Sequence, residues 1–286
     1  MLHIHAIQTG TVGIKAKQLR GEGHGARRLL NTLTDTAWVG PVPIYVWVIE
    51  HPEGIIVVDT GETARTAQKG YLPQWHPFTR QSVNHFFVGP EDEIGVQLMN
   101  LGIAPRDVRW VVLTHMHTDH AGGLHHFPHA EILVARKEYA AAQGLNGRIL
   151  GYLPHHWPRW FNPRLVDFTS EAVGPFPSSF TLTKANDVIL LPTEGHSRGH
   201  LSVLVREEHL SFFLAGDTSY TEQLLLDQAI DGVSPNEQAA QQTLKRIGEY
   251  ARMTPTVYLP SHDPKAKERL SQRETVLFHE AVKITK

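Results

Sequence analysis

Histidine and aspartate side chains crowd the short segment 114–123, directly after an apolar run at 108–113. The apolar run predicts a buried strand, so the cluster falls where a strand ends and the backbone turns into a loop and then a helix. Alternate residues of an extended segment point the same way, so His115 and His117 can reach one ion together, and Asp119 and His120 can face a second. Imidazole and carboxylate groups suit zinc and similar divalent metals. A histidine-rich surface loop is the alternative in a chain with 19 histidines, but ligands in this order at a strand end favour a metal site.

Further ligand candidates follow other apolar runs of the chain. His196 comes after the run 188–191, Asp217 closes the run 210–216, and His262 follows 257–261. Each lies at the carboxyl end of a predicted strand, the edge where α/β layers tend to place their chemistry. Any one of them alone fits an ordinary loop residue. Together they predict a single site assembled from both halves of the chain.

The order His-x-His-x-Asp-His at 115–120, followed by His196, Asp217 and His262, resembles the metallo-β-lactamase superfamily. Asp59-Thr60-Gly61, after the apolar run 55–58, resembles the earlier Asp motif of that family, which supports the site from behind the ligands. The resemblance covers nearly the whole chain. It implies an α/β fold of one domain over residues 1–286, a four-layer αβ/βα sandwich in which two sheets pack face to face with helices outside.

The same resemblance implies how the ligands divide between two divalent ions. The first ion would be held by His115, His117 and His196, the second by Asp119, His120 and His262, with Asp217 bridging the two. Zinc fits these ligand types best, and cobalt, manganese or iron would also be accepted.

The stretch after Asp217 is similar to the dinuclear N-acyl-homoserine lactonases. Asp217-Thr218-Ser219-Tyr220 is followed by a helix expected to start near Pro235, with Ser234 as its cap, and later by Ser261-His262-Asp263. In these lactonases a Tyr three residues after the bridging Asp points into the site, and Tyr220 holds that position; an ordinary half-buried aromatic is the alternative. The sequence departs from the lactonase pattern at Thr118, Glu194 and Ser261, none of which is an expected ligand.

The resemblance therefore implies a metal-dependent hydrolase that opens the lactone ring of N-acyl-homoserine lactones, which would quench quorum signalling. A hydroxide bridging the metals would attack the carbonyl, Tyr220 would stabilise the oxyanion, and Asp119 or Asp217 would manage the proton of the leaving group. The alternatives are hydrolysis of other lactones, esters, thioesters or organophosphates, and a metal-dependent binding protein without catalysis.

Composition excludes several other classes of function. The net charge of −2 gives no basic surface for nucleic acid, and the absence of cysteine excludes disulfides, thiolate ligands and a Cys nucleophile. No apolar run approaches the roughly 18 residues of a membrane span. The N-terminus alternates like a strand and lacks a signal-peptide pattern. We therefore expect a cytoplasmic protein, and the resemblance to the lactonases implies a small acyl lactone as its partner.

Two regions are predicted to be irregular. Residues 15–40 carry arginines among glycines and predict a loop or arm that closes over the pocket, packs on a second subunit of a homodimer or stays solvated. Residues 145–180 form an insertion whose prolines exclude regular helix. Its aromatics either form an apolar lid beside the metals or attach the insertion to the body; they are Tyr152, Trp157, Trp160, Phe161 and Phe176. His155 and His156 in this insertion are not expected to be ligands.

Overall fold

Runs of Val, Ile and Leu, whose branched side chains pack well on a pleated surface, form the strands of two sheets. The computed structural model describes residues 2–82 and 85–278. The strands of the first sheet are β1 (His3–Lys15), β2 (Trp38–Glu50), β3 (Ile55–Val58), β4 (Phe86–Phe87), β5 (Val108–Val112), β6 (Glu131–Ala135) and β7 (Arg164–Val166). Those of the second are β8 (Phe180–Thr181), β9 (Val188–Pro192), β10 (Leu201–Arg206), β11 (Ser211–Gly216) and β12 (Thr256–Pro260).

The first sheet has seven strands in the order β4-β1-β2-β3-β5-β6-β7, and the second has five in the order β12-β11-β10-β9-β8. Strands β3, β5, β6 and β7 run parallel, as do β11 and β12. The carboxyl ends of the parallel strands of each sheet therefore share an edge, and the loops that follow β5, β11 and β12 leave from such edges.

The helices flank the sheets and are numbered here in chain order. They are α1 (Ala16–Leu19), α2 (Gly25–Thr34), α3 (Pro77–Ser82), α4 (Ile94–Asn100), α5 (Thr118–Ala121), α6 (Arg136–Ala142), α7 (Gly144–Ile149), α8 (Glu222–Leu226), α9 (Glu237–Met253) and α10 (Ala266–Gln272). Among the described helices, none combines the length and the apolar character that a membrane span requires.

Alternate strand residues serve different layers of the core. Ile56 and Val58 of β3 pack with Leu190 of β9 in the cluster between the sheets, whereas Val57 packs in a second cluster with residues of α4. On the other sheet, Leu191 faces a third cluster that contains residues of α9. Because side chains alternate across a strand, each sheet has one face on the other sheet and one on helices. The predicted four-layer sandwich is confirmed.

The region 15–40 differs from the predicted loop, because it contains the helices α1 and α2. Helix α2 is anchored by Arg28, which is only 4% exposed and donates a 2.6 Å hydrogen bond to the Ser234 carbonyl. Thr32, one turn later, is fully buried and hydrogen-bonds the Gly232 carbonyl. Arg28, one of the arginines that suggested a loop or arm, thus holds a helix against the rest of the domain.

The insertion 145–180 also differs from expectation. A short helix, α7, forms before its first proline, at Gly144–Ile149. The lid hypothesis is wrong for most of the aromatics: Phe176 is fully buried beside Phe213, while Trp157 and Phe161 pack against Tyr139. Among these aromatics, Tyr152 alone lines the cavity beside the predicted metal ligands. The apolar packing of the rings attaches the insertion to the body.

Helix α9 begins later than predicted. Its N-cap is Asn236, whose side-chain oxygen accepts from the Ala239 N–H at 3.0 Å, and the first helical residue is Glu237. Ser234, the predicted cap, instead donates its hydroxyl to the Asp231 carboxylate at 2.6 Å. Ser234 therefore lies in the turn before the helix and Asn236 accepts in its place.

Candidate metal centre

The loop after β5 carries the first group of predicted site residues. Thr114 donates its backbone N–H to the Asp59 carboxylate at 2.7 Å, which fixes the start of the loop. His115 Nε2 and His117 Nδ1 then come within 3.0 Å of each other. Helix α5 follows with His117 as its N-cap residue, and it carries Asp119 and His120 on its first turn. The predicted turn from strand into helix is what brings these side chains together.

The second sheet delivers the remaining predicted residues to the same place. His196 lies after β9, Asp217 after β11 and His262 after β12. Gly216, at the end of β11, has a φ of 59°, and a Cβ on it would lie 2.6 Å from His200 Nε2. A residue without a side chain is therefore required where β11 turns toward the site.

The ligand atoms of these residues converge in overlapping groups, each with its atoms within 4.8 Å of one another. The groups are His115, His117 and His196; His115, His120 and Asp217; and Asp119, His120 and His262. Asp217 joins them, because its Oδ1 lies 3.3 Å from His120 Nε2 and its Oδ2 lies 3.5 Å from His196 Nε2 and 3.4 Å from His262 Nε2. The structure thus brings every predicted ligand into one cluster.

Oxygen atoms behind three of the imidazoles fix which nitrogen faces the cluster. His120 Nδ1 lies 2.8 Å from Asp59, His196 Nδ1 lies 3.2 Å from Asp231, and His262 Nδ1 lies 2.8 Å from the Pro43 carbonyl. Each Nδ1–H donates outward, so the lone pair of a neutral ring is on Nε2 and points inward. Asp59 occupies the position expected from the family motif.

The carboxylate of Glu138 connects the loops from the two sheets. This fully buried side chain accepts from the Met116 N–H at 3.0 Å, the Ser197 hydroxyl at 2.7 Å, the Gly199 N–H at 3.0 Å and the Tyr152 hydroxyl at 3.0 Å. Because Met116 lies between His115 and His117 and Ser197 follows His196, Glu138 holds together the two loops that carry these three histidines.

The charges of the cluster call for cations. Burial lowers the pKa of His115 well below its usual value and that of His117 to about 3, which keeps these rings neutral. Burial also opposes charge on His120, yet Asp217, Asp59 and Asp119 around it raise its pKa well above the usual value. Burial would raise the pKa of Asp217, but His262 and His120 hold it well below its usual range. The buried carboxylates therefore favour positively charged partners at this centre.

Two buried polar atoms without partners at the centre indicate that divalent ions bind between the carboxylates and imidazoles. His120 Nε2 and Asp217 Oδ1 are buried and have no hydrogen-bond partner among the described residues. Such atoms are costly unless something fills the space between them. Nitrogen and oxygen donors from histidine and aspartate are the ligands that zinc and related metals take in proteins.

Tyr220 lies beside the ligands. Its ring centroid is 5.6 Å from that of His262 and 6.2 Å from that of His196, and the residue is only 2% exposed. Gln18 Nε2 donates to its hydroxyl oxygen at 2.9 Å. Burial, with Asp217 and Asp231 nearby, raises the pKa of Tyr220 well above its usual value, so its hydroxyl keeps its proton.

A cavity of about 560 Å³ opens over the cluster. Its base includes His117, Asp119, Asp217 and Tyr220. Its walls are mainly apolar and come from β1, α2, residues between 72 and 82, β4 and the end of α7; they include Val12, Ile14, Leu29, Leu33, Leu72, Phe86, Ile149 and Leu150. Of the placements considered for the 15–40 region, the structure shows α2 lining this cavity.

The sequence profile described as the metallo-beta-lactamase superfamily matches residues 39–262. The chain belongs to this superfamily. An N-acyl homoserine lactonase of Azorhizobium caulinodans is 28% identical over 272 residues, which is 93% of this chain and 94% of the relative. A solved N-acyl homoserine lactone hydrolase with N-hexanoyl-L-homoserine at its metal centre superimposes with a TM-score of 0.71 at 23% identity, covering 97% of both chains. A dizinc quorum-quenching lactonase superimposes with a TM-score of 0.62 at 15% identity, covering 92% of this chain and 88% of that one.

Sequence reasoning missed several residues that shape the site of this superfamily member. Asp231 had a local signal, because an Asp three residues before a Ser suggests a side chain that caps its own turn, and its Oδ1 accepts from the N–H groups of Val233 and Ser234. Glu138 resembled a solvated charge on a helix, and Gln18 had no signal. Their contacts come from distant parts of the chain.

Proposed function

We propose that this protein is a dinuclear, metal-dependent hydrolase that opens the lactone ring of N-acyl-homoserine lactones. The observation that carries the proposal is the meeting of the metal-ligand cluster, a buried tyrosine hydroxyl and an apolar cavity at one place. The relative from Azorhizobium caulinodans bears the same activity in its name and aligns with nearly the whole chain. Loss of the lactone would silence quorum signals that depend on it.

We assign the ligands to two ions, with zinc as the expected metal. His115, His117 and His196 would hold one, Asp119, His120 and His262 the other, and Asp217 would contact both, in keeping with the groups that converge in space. When bound, such ions polarise an ester carbonyl and lower the pKa of water.

Tyr220 is placed to donate to the substrate. Its oxygen accepts the hydrogen bond from Gln18 at 2.9 Å, which leaves its own O–H free to point at another acceptor. A donor fixed in this way, in a site sheltered from water, stabilises an oxygen that gains negative charge during attack on a carbonyl. We therefore assign Tyr220 to the lactone carbonyl and Gln18 to the orientation of its hydroxyl.

Asp119 is the carboxylate best placed to manage a proton. Both Asp119 and Asp217 line the cavity, but the side chain of Asp119 is 16% exposed and that of Asp217 only 4%. Ring opening releases an alkoxide that must be protonated. We propose that Asp119, besides its ligand role, accepts the proton that the attacking water loses and passes it to this alkoxide, whereas Asp217 acts only as a ligand.

The apolar walls of the cavity fit an acyl chain. Each methylene that leaves water contributes up to about 0.8 kcal/mol, so KM should fall as the acyl chain lengthens from four to eight carbons. Walls from α2 and α7, where Leu29, Leu33 and Ile149 lie, would supply this contact.

The test compares kcat/KM on one zinc-loaded preparation for acyl-homoserine lactones, simple γ-lactones, an aryl ester, a phosphotriester and a glutathione thioester. We expect acyl-homoserine lactones to be preferred. A thioester or phosphotriester preferred by about a hundredfold, equivalent to about 2.7 kcal/mol, would overturn the substrate assignment. Absence of turnover on every substrate would favour a binding protein. His117→Ala, which removes a ligand, is the control for contaminating activity.

A further inference from the structure

A second histidine–carboxylate cluster lies outside the centre described above. Glu93, at the N-cap of α4, faces His125 and His126 on the 3-10 turn Gly122–His126, which follows α5. Glu93 Oε2 lies 3.2 Å from His125 Nε2 and 2.7 Å from His126 Nε2. One ligand atom from each residue lies within 4.8 Å of the others.

The orientation of His125 places the lone pair of a neutral ring against a carboxylate oxygen of Glu93. Its Nδ1 lies 3.3 Å from the Gly122 carbonyl, so Nδ1 carries the hydrogen. A neutral ring then has its lone pair on Nε2, which faces a carboxylate oxygen at 3.2 Å. A lone pair and a carboxylate repel each other. Either a second proton on the ring or a metal ion between the two atoms removes this repulsion.

The carboxylate of Glu93 is held as metal ligands usually are. Its Oε1 accepts from the Thr63 hydroxyl at 2.9 Å and from the Ala64 N–H at 3.0 Å, which leaves Oε2 for the imidazoles. Burial would raise the pKa of Glu93, but these hydrogen bonds and the one from His126 lower it. Outer partners of this kind, including the carbonyl behind His125, orient metal ligands in proteins.

His126 donates a hydrogen bond from Nε2 to the Glu93 carboxylate at 2.7 Å, and a metal ion would take the place of this hydrogen, with the ring hydrogen moved to Nδ1. Burial and the neighbouring His125 lower its pKa, so the ring is neutral near pH 7. Gly95 leaves room for the His126 ring, since a Cβ at this position would clash with His126 Nδ1. The ring is therefore fixed against α4 while its Nε2 faces Glu93.

We propose that Glu93, His125 and His126 bind a third divalent cation, of the zinc and cobalt class, in addition to the pair at the main centre. Two ligands held about 2.0–2.1 Å from a tetrahedral ion are separated by about 3.3 Å. Glu93 Oε2 and His125 Nε2 are already 3.2 Å apart, whereas His126 Nε2, at 2.7 Å from the same oxygen, must move back when the ion replaces the hydrogen between them. His125 is 45% exposed, so water completes the coordination. The ion would tie the turn after α5 to the start of α4, and a site with three protein ligands binds more weakly than the main centre.

The test is equilibrium dialysis of the full-length protein against zinc alone, with metal counted by elemental analysis. We expect wild type to bind one zinc more per chain than His125→Ala and His126→Ala. Because His125 is half exposed, its variant should fold normally. Thr63→Val should weaken the additional zinc by about 10- to 100-fold, and Thr63→Ser should restore it.

Two controls make the result specific. His129→Ala removes an exposed histidine from the same stretch and should leave the zinc count unchanged. His3→Ala breaks the other exposed cluster, where His3, His5 and Glu50 also gather, and should likewise have no effect. An equal zinc count in wild type and His125→Ala would overturn the proposal, as would loss of the additional zinc in His3→Ala.

Discussion

Replacing Asp231 by asparagine changes the group behind His196 while keeping its shape. In the native chain, Asp231 Oδ1 accepts from two backbone N–H groups, those of Val233 and Ser234. Oδ2 accepts from the Ser234 hydroxyl at 2.6 Å and lies 3.2 Å from His196 Nδ1. In Asp231→Asn, the oxygen of the amide would remain with the backbone N–H groups. The amide nitrogen would then face His196, donor against donor.

The imidazole of His196 can relieve this clash by moving its proton to Nε2, the atom that faces the ligand cluster. A protonated Nε2 cannot bind a metal. Loss of an outer partner of a metal ligand usually costs about 10- to 100-fold in affinity, or about 1.4–2.8 kcal/mol. Because the variant also favours the wrong tautomer, we expect the zinc shared by His115, His117 and His196 to weaken by about 100-fold.

The assay is a competition for zinc against a chelator, with bound metal counted and kcat measured at saturating zinc. Ser234→Ala is the matched control, because it removes a donor to the same oxygen but places no donor opposite His196. It should keep zinc affinity within a few-fold of wild type. Equal zinc affinity in Asp231→Asn and wild type would refute the tautomer argument.

Three further perturbations test other parts of the site. Tyr220→Phe should keep its metals and lose about 10-fold or more in kcat. Gln18→Leu should lose less kcat, with its KM little changed. An unchanged kcat in zinc-loaded Tyr220→Phe would show that the ring only packs. Chelation should abolish turnover and lower Tm, and added zinc should restore both in wild type. In His117→Ala, added zinc should not restore turnover. Activity that survives full chelation would contradict the metal mechanism. Burial, with His155 and two arginines nearby, lowers the pKa of His156 to about 4. The folded state therefore binds fewer protons than the unfolded chain between pH 6.5 and about 4, and the free energy of unfolding falls as the pH is lowered through that window. His156→Phe keeps an aromatic ring beside Tyr71, and its free energy of unfolding should fall by about 1 kcal/mol less than that of wild type between pH 7 and 5, a value discounted because the side chain is partly exposed. Equal losses in urea titrations would contradict this.

The sequence alone determined the parts of this protein that depend on local spacing. Apolar runs of strand length predicted β3, β5, β9, β11 and β12. The alternation of His115 and His117 after β5 predicted a metal site, because an extended backbone dictates where alternate side chains point. The local pattern was less informative for α2 and the start of α9. Arg28 and Ser234 have polar side chains that suit a loop or a cap, and their actual partners lie far away in the chain or in the preceding turn.

Only the tertiary structure decided what lies behind and around the ligands. Asp231 reaches His196 across 35 positions, Asp59 reaches His120 across 61, and Gln18 reaches Tyr220 across 202. No periodicity along the chain encodes such pairs. Asp59 meets His120 because β3 and β5 are neighbours in one sheet, and Gln18 meets Tyr220 only when the two halves of the chain pack together. The donor atoms could be identified from residue type and spacing. Which nitrogen each ring presents, and which hydroxyl is free to donate, depends on contacts that exist only in the folded chain.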